Sequence, residues 1–236
     1  MEDVAKFCID YLEKKDCEYV EVRVEEKDIN GFVFKNGVVE LSGFDSIKGI
    51  GVRFLLNKTL GFVSLNDFGR DKIKENLNRA LKVTSKAKNF SDSTGLSDEE
   101  SVKKSYKVKQ KIKFENVGVE EKLKVLKDIH DDIKSENLAG SFLNLSDEVA
   151  KKYYVNNNGT RIVSEIPRSN FFYLLTIRKA DKSVQRMNMF GATEGWESVK
   201  KWKLNEKLLS EFKALNNNIE KGVRVPKEEL DLVVAP

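Results

Sequence analysis

A change of hydrophobic period near residue 19 constrains this fold more than any other feature of the chain. Before it, Val4, Phe7, Cys8, Tyr11 and Leu12 recur at helical spacing; after it, Val20, Val22 and Val24 alternate with Glu21, Arg23 and Glu25. The first pattern specifies an amphipathic helix ending around Lys14-Lys15, the second a strand with one buried and one wet face. Asn36-Gly37 then stands between Phe32-Val33-Phe34 and Val38-Val39. Both turn residues tolerate positive φ, so a tight antiparallel hairpin is predicted.

A second hairpin is expected where Gly49-Ile50-Gly51-Val52-Arg53-Phe54-Leu55-Leu56 turns at Asn57-Lys58 into Leu60-Gly61-Phe62-Val63-Ser64. Gly49 and Gly51 do not form a dinucleotide loop, because such a loop follows a strand and opens a helix, and the third glycine is missing. A bulge or a close backbone approach inside the sheet accounts for them. Ile73, Leu77, Ala80 and Leu81 predict a helix over 69–83 lying across the sheet. Residues 86–118, rich in Ser, Lys, Asp and Glu, read as a long, partly extended connector anchored by Tyr106, Val108, Ile112 and Phe114.

From Val119 the period is helical again, with Leu123, Leu126, Ile129 and Ile133 on one side. His130, the one histidine of the chain, shares that stripe and reads as a packed side chain; Asp131 and Asp132 turn away from it. Short β patterns at 142–145, 153–155, 162–166, 171–177 and 184–190 predict a second sheet region, a meander with turns at Asn156-Asn157-Asn158-Gly159 and Ala180-Asp181-Lys182-Ser183. Phe190 to Trp196 leaves that sheet as a loop. Leu204, Leu208, Leu209, Phe212, Leu215 and Ile219 predict a last helix, with Gly222 placed to end it. The run Leu230 to Pro236 reads as a strand awaiting neighbours.

The expected class is therefore α+β. Residues 1–118 form an α/β-type N-terminal domain with a mixed sheet, flanking helices and the connector of about 86–118. Residues 119–222 supply a central helix, a β-meander and a helix. Residues 223–236 are the first strand of a truncated, β-rich C-terminal domain. A hydrophobic content of 40% is enough for a packed core and excludes a wholly disordered chain. No apolar run approaches the roughly 20 residues that cross a bilayer, and Met1-Glu2-Asp3 opens without a secretory leader, so a cytoplasmic protein with no membrane role is expected. The net charge of +4, from 42 basic and 38 acidic residues, is too small to create a strong field for nucleic acid. Cys8 and Cys17 read as reduced thiols.

Nucleophilic catalysis of the Ser-His or Cys-His kind would need His130, which the helical stripe removes. A catalytic zinc site normally takes two histidines among three protein ligands, and one histidine cannot supply them. The lysines around Tyr106, from Lys103 to Lys113, read as a solvated edge. No catalytic residue, metal ligand or cofactor is assigned.

Several segments occur in a recognisable order. Val20-Glu21-Val22-Arg23-Val24, the Asn36-Gly37 turn, Gly49-Ile50-Gly51-Val52-Arg53 and Gly61-Phe62-Val63-Ser64 before a helix resemble the N-terminal domain of the TldD/PmbA family. Asn158-Gly159-Thr160, Glu165-Ile166-Pro167-Arg168 and the Gly191 to Trp196 loop resemble its middle region, and Asp231 to Pro236 resembles the strand just ahead of its His-Glu metal-binding helix. The resemblance implies the N-terminal and central portion of a zinc-dependent peptidase that trims peptides, a family also described as modulators of DNA gyrase. It implies a homo- or heterodimer with a TldD/PmbA-type subunit, and zinc in a full-length catalytic member. None of the zinc ligands carries over to this sequence, so the chain is expected to be inactive alone. Its alternatives are a portion of a non-catalytic PmbA-type partner and a basic nucleic-acid or gyrase-binding module. Gly49, Gly51, Arg53, Gly191, Gly195 and Trp196 are the expected substrate-binding residues, lining a cleft for an extended peptide.

Overall fold

The computed structural model describes residues 1–87, 95–223, 226–229 and 231–234. Helix α1 (Glu2–Glu13) precedes strands β1 (Tyr19–Lys35), β2 (Val38–Leu56) and β3 (Thr59–Leu65), and helix α2 (Arg70–Ala87) follows. The connector carries a short strand, β4 (Lys103–Lys107), and a 3-10 turn at Phe114–Asn116. Helix α3 (Val119–Ile133), strands β5 (Leu138–Asn156), β6 (Arg161–Lys179) and β7 (Lys182–Ala192), and helices α4 (Glu197–Lys201) and α5 (Leu204–Lys221) complete the chain. The mixed α+β class holds.

The expected turns fall where the sequence places them. Asn36 and Gly37 take φ of 50° and 88°, and Asn57 and Lys58 take 50° and 58°, the paired positive values that let a two-residue loop follow strand twist. Ala180, at φ 52°, opens the tight β6–β7 turn.

The second sheet region is corrected: there is one sheet. Strand β1 pairs antiparallel with β5 from Glu21–Asn156 to Lys35–Phe142, so the later strands extend the first hairpin in the order β3-β2-β1-β5-β6-β4, with β7 also on β6. The five short patterns merge into β5, β6 and β7 because 19-residue strands switch their burial partly along their length, and a period count sees only the buried parts. Pro167 lies inside β6. It is tolerated because β4 pairs with β6 only to Glu165 and β7 only from Ser169, leaving no second neighbour at the residue that lacks an N–H.

Even-numbered residues of β1 and odd-numbered residues of β5 and β6 share the face that bears the helices. Helices α1 and α2 cover one end of this face over Val20, Val22, Val24, Ile50, Val52 and Phe54. Helices α3, α4 and α5 cover the other end over Phe32, Phe34, Leu143, Leu145, Phe171 and Tyr173. Two cores thus share one sheet. Cys8 and Cys17 are buried free thiols in the first core, with burial pushing them up to about 12 and about 11.

Two further expectations are revised. The ladder stays in register at Gly49 and Gly51; the β1–β2 bulge lies between Val33 and Phe34, and the close approach is at Gly61, where a Cβ would stand 2.4 Å from the Phe54 ring. The terminal run forms no strand over residues 231–234, where Leu232, Val233 and Val234 are exposed with no strand beside them; Leu230, Ala235 and Pro236 lie outside the described residues. Part of the connector, residues 88–94, also lies outside them. Among the described residues, no helix is long and apolar enough to cross a membrane.

Candidate functional site

Between the two cores the helix-bearing face changes character. On β1 the valines give way to Glu26, Asp28 and Asn30 before Phe32 restores apolar packing; the facing positions on β5 are Lys151, Val149 and Asp147. Charged side chains cannot be sealed under helices without partners, so this belt stays open. It forms the floor of a groove of about 560 Å³, walled by Phe44 of β2, the connector residues Lys107, Gln110, Lys113 and Phe114, and the start of α3.

Lys122 closes one end. It stands on the buried side of α3, and its Nζ donates to Asp147 Oδ2 at 2.6 Å, the two side chains being only 3% and 2% exposed. Asn30 Nδ2 donates to the other Asp147 oxygen at 2.8 Å. The ammonium also lies 5.7 to 5.9 Å from the ring centroids of Phe32, Phe114 and Trp196. Ring faces carry partial negative charge, so carboxylate and rings together replace the water that Lys122 loses. Around the mouth, Lys107 pairs with Glu165 at 2.7 Å, Lys113 with Glu115 at 2.9 Å, and Ser46 donates to Asp28 at 2.9 Å. The lining thus carries both hydrogen-bond donors and acceptors.

The connector is fixed by Glu197. Its carboxylate accepts the backbone N–H groups of Lys111 and Ile112, both at 2.9 Å, and that of Gly195 at 3.3 Å, while Trp196 N–H donates to Ile112 at 2.8 Å. Burial acts to raise the Glu197 carboxyl, but these backbone donors outweigh it and hold it at about 2.

The six expected substrate residues separate. Gly195 and Trp196 are structural: a Cβ at Gly195 would stand 2.2 Å from the Ile112 carbonyl, and Trp196 is buried against Lys122. Gly49, Gly51 and Arg53 lie on the opposite face of the sheet. There Arg53 donates to Glu21 at 2.9 Å, joined by the hydroxyls of Tyr19 at 2.8 Å and Tyr154 at 3.1 Å. Burial raises the Glu21 carboxyl, and the hydrogen bonds from Arg53, Tyr19 and Tyr154 more than reverse it. Burial first, then the Tyr19 hydroxyl and the Glu21 charge, raise Tyr154. Arg53 is thus a counter-ion. Gly191 faces Asn170 at the far end, in line with Ser146 and Gly31, whereas Gly51 faces Arg23. Eight residues along β1 separate the two lines, roughly 26 Å at strand rise. No single cleft joins these six.

His130 is packed as expected, its Nδ1 3.0 Å from Ser141 Oγ and its ring against Phe34; burial lowers its proton affinity. Among the described residues, no group of three or more His, Cys, Asp and Glu side chains is placed to hold a metal ion. The described residues therefore do not fit a zinc centre. Lys122, Asp147 and Asn30 escaped the sequence reading. Their signal was a polar residue at an apolar-face position: Lys122 four before Leu126, and Asp147 two after Leu145.

Profiles of known families match both halves of this architecture. Residues 20–87 match "PmbA/TldA metallopeptidase domain 1" and residues 112–215 match "PmbA/TldA metallopeptidase central domain". The chain belongs to the TldD/PmbA family. It is similar to a metalloprotease of Methanocaldococcus jannaschii, 26% identical over 93% of this chain and 48% of the relative. Its fold is similar to a Thermotoga maritima protein described as a putative modulator of a DNA gyrase, with a TM-score of 0.74 at 16% identity over 95% of this chain and 50% of that one. It is also similar to TldE from Thermococcus kodakarensis, with a TM-score of 0.64 at 17% identity over 93% and 47%. This TldD/PmbA chain thus spans about half the length of these relatives. Its two matched regions share one sheet, and the polar groove lies where they meet.

Proposed function

We propose that this chain is the scaffold and peptide-holding portion of a TldD/PmbA-type metallopeptidase, and that the groove between its two cores takes an extended, unfolded peptide. The observation that carries the reading is the polar, mixed-charge belt with Lys122 and Asp147 buried at its end, open to solvent between two otherwise sealed cores. Peptide amides need both donors and acceptors, and the pairs Lys107–Glu165 and Lys113–Glu115 supply both along one wall. The lining holds no Ser, Cys or His. The chain is therefore assigned the binding of peptide, and no hydrolytic step.

The test is fluorescence anisotropy of a labelled unfolded peptide with the purified chain. Lys107→Glu combined with Lys151→Glu reverses two exposed charges of the groove and is expected to weaken binding at least tenfold. Arg23→Glu, on the other face, is expected to leave it unchanged. Equal binding by all three proteins refutes the groove, and zinc-dependent cleavage of the peptide by this chain refutes the assignment of binding alone.

A further inference from the structure

The face of the sheet turned away from the groove carries a cluster in which positive charge exceeds what its own partner absorbs. Glu21 is 4% exposed there. The hydroxyls of Tyr19 and Tyr154 and Arg53 Nη2 all donate to its Oε2, at 2.8, 3.1 and 2.9 Å, and Arg23 faces its Oε1 at 3.5 Å. Two guanidiniums thus share one carboxylate that two hydroxyls already serve. Arg53 Nε is buried with no acceptor among the described residues. Arg23 is 67% exposed, its guanidinium 5.3 Å above the Tyr154 ring. A buried donor left without an acceptor carries a desolvation cost that a new acceptor would relieve.

A glycine makes room beside the two arginines. Gly51 stands opposite Arg23 on β2, and Phe62 stands opposite Arg53 on β3. The Phe62 ring is 65% exposed and leans toward Gly51, 3.8 Å from where a Cβ would stand. Glu21, Arg23, Gly51, Arg53 and Phe62 line a depression of about 260 Å³. Two cations and one anion leave its lining with one positive charge in excess. Glu18, Asp98, Glu99 and Glu100 line the adjoining depression, and among the described residues none of them is ion-paired with either arginine. Room therefore exists for one negative charge, while a dianion would meet Glu21 and these acids at close range.

We propose that this depression binds a small monocarboxylate with a flat apolar body, its carboxylate between Arg23 and Arg53 and its body against Phe62. Guanidiniums receive planar carboxylates through paired N–H donors, and an exposed ring gives the apolar remainder a surface to cover. The site lies on the face opposite the peptide groove and does not rest on peptide binding there.

Benzoate is the probe, titrated into isotope-labelled chain and followed by NMR. The Arg53 Nε–H and Gly51 amide signals are expected to move together and saturably, with a dissociation constant on the order of 1 mM for a ligand of this size. Gly51→Val fills the depression and suits a strand, since a Cβ there makes only ordinary contacts; it is expected to weaken benzoate at least tenfold. Arg23→Gln, at an exposed position, is expected to do the same, with Arg23→Lys between it and wild type because charge remains and the paired donors are lost. The same spectra report whether each variant is folded. Lys107→Glu with Lys151→Glu, in the groove, is expected to leave benzoate binding unchanged. Benzyl alcohol, which lacks the charge, and inorganic phosphate are each expected to bind at least tenfold more weakly. No saturable shift with benzoate, or equal binding by wild type, Gly51→Val and Arg23→Gln, overturns the site. Phosphate binding as tightly as benzoate overturns the carboxylate assignment, and benzyl alcohol doing so overturns the role of the arginines.

Discussion

Lys122→Met tests the buried pair at the end of the groove. The change keeps an unbranched apolar stem in place of the lysine, so helix α3 and its packing against Phe32, Phe114 and Trp196 lose little volume. What it removes is the charge facing Asp147, a carboxylate 2% exposed that keeps only the Asn30 amide at 2.8 Å. A buried pair adds little net stability, because the desolvation of both ions offsets their attraction, yet breaking one strands the other, at about 3–5 kcal/mol. Loss of the ring contacts adds about 1 kcal/mol, and methionine burial returns a similar amount. The expected cost of Lys122→Met is therefore about 4 kcal/mol, read from urea unfolding followed by tryptophan fluorescence with the slope unchanged. Lys122→Met with Asp147→Leu removes both charges and is expected to regain more than half of that loss. A single variant costing below about 1 kcal/mol, or a double variant equal to the sum of the two singles, would show that the charges are not coupled and would refute the reasoning.

Two other perturbations probe the frame of the groove. Glu197→Ala leaves the Lys111 and Ile112 amides without their acceptor and is expected to cost about 3 kcal/mol, with Glu197→Gln at about half because one carbonyl oxygen remains. The Glu197 carboxyl is lowered in the fold to about 2 from an ordinary 4.5, so its contribution is complete above about pH 4.5 and fades as pH falls toward 2; the gap between wild type and Glu197→Gln in urea melts is expected to close over that window and to stay constant above it. Gly61→Ala drives a methyl to 2.4 Å from the Phe54 ring and 2.6 Å from Thr84 Oγ1. Overpacking of this kind costs about 1–3 kcal/mol, and Phe54→Leu added to Gly61→Ala is expected to recover part of the loss in thermal melts; a neutral Gly61→Ala would contradict the packing.

The fold was legible wherever a local rule fixes geometry. Asn36-Gly37 and Asn57-Lys58 announced their hairpins because a two-residue loop needs positive φ at both positions, and α1, α2, α3 and α5 announced themselves by stripes one helix face wide. The joining of two regions into one sheet was not legible. Nothing local marks that Glu21 will face Asn156, 135 positions further along the chain, and the polar break at Glu26, Asp28 and Asn30 interrupts the apolar alternation by which a strand is read. In fact the strand continues through it. Helix α4, five residues long, is too short to show a period and is held by its Glu197 contacts.

The same break explains why the site was found only in part. Glycine and aromatic motifs drew attention to Gly195 and Trp196, and both are required, but by the contacts that seat the connector against α4 and roof Lys122. Residues of a groove between two cores carry a different mark: they interrupt an apolar pattern without ending the element. Asp147 does so within Leu143, Leu145 and Val149 of β5, Asn30 before Phe32 and Phe34 of β1, and Lys122 among the buried positions Leu126, Ile129 and Ile133 of α3. Each interruption reads alone as a tolerated exception. The register converts them into one feature, since Asn30 faces Asp147 across the β1–β5 ladder and Lys122 reaches that carboxylate from above. Three exceptions on three elements satisfy one another, and a sheet built to bury them could have used apolar residues at all three places with no loss of packing. The sheet keeps them where the open groove ends, which is consistent with the peptide-holding role proposed for that groove.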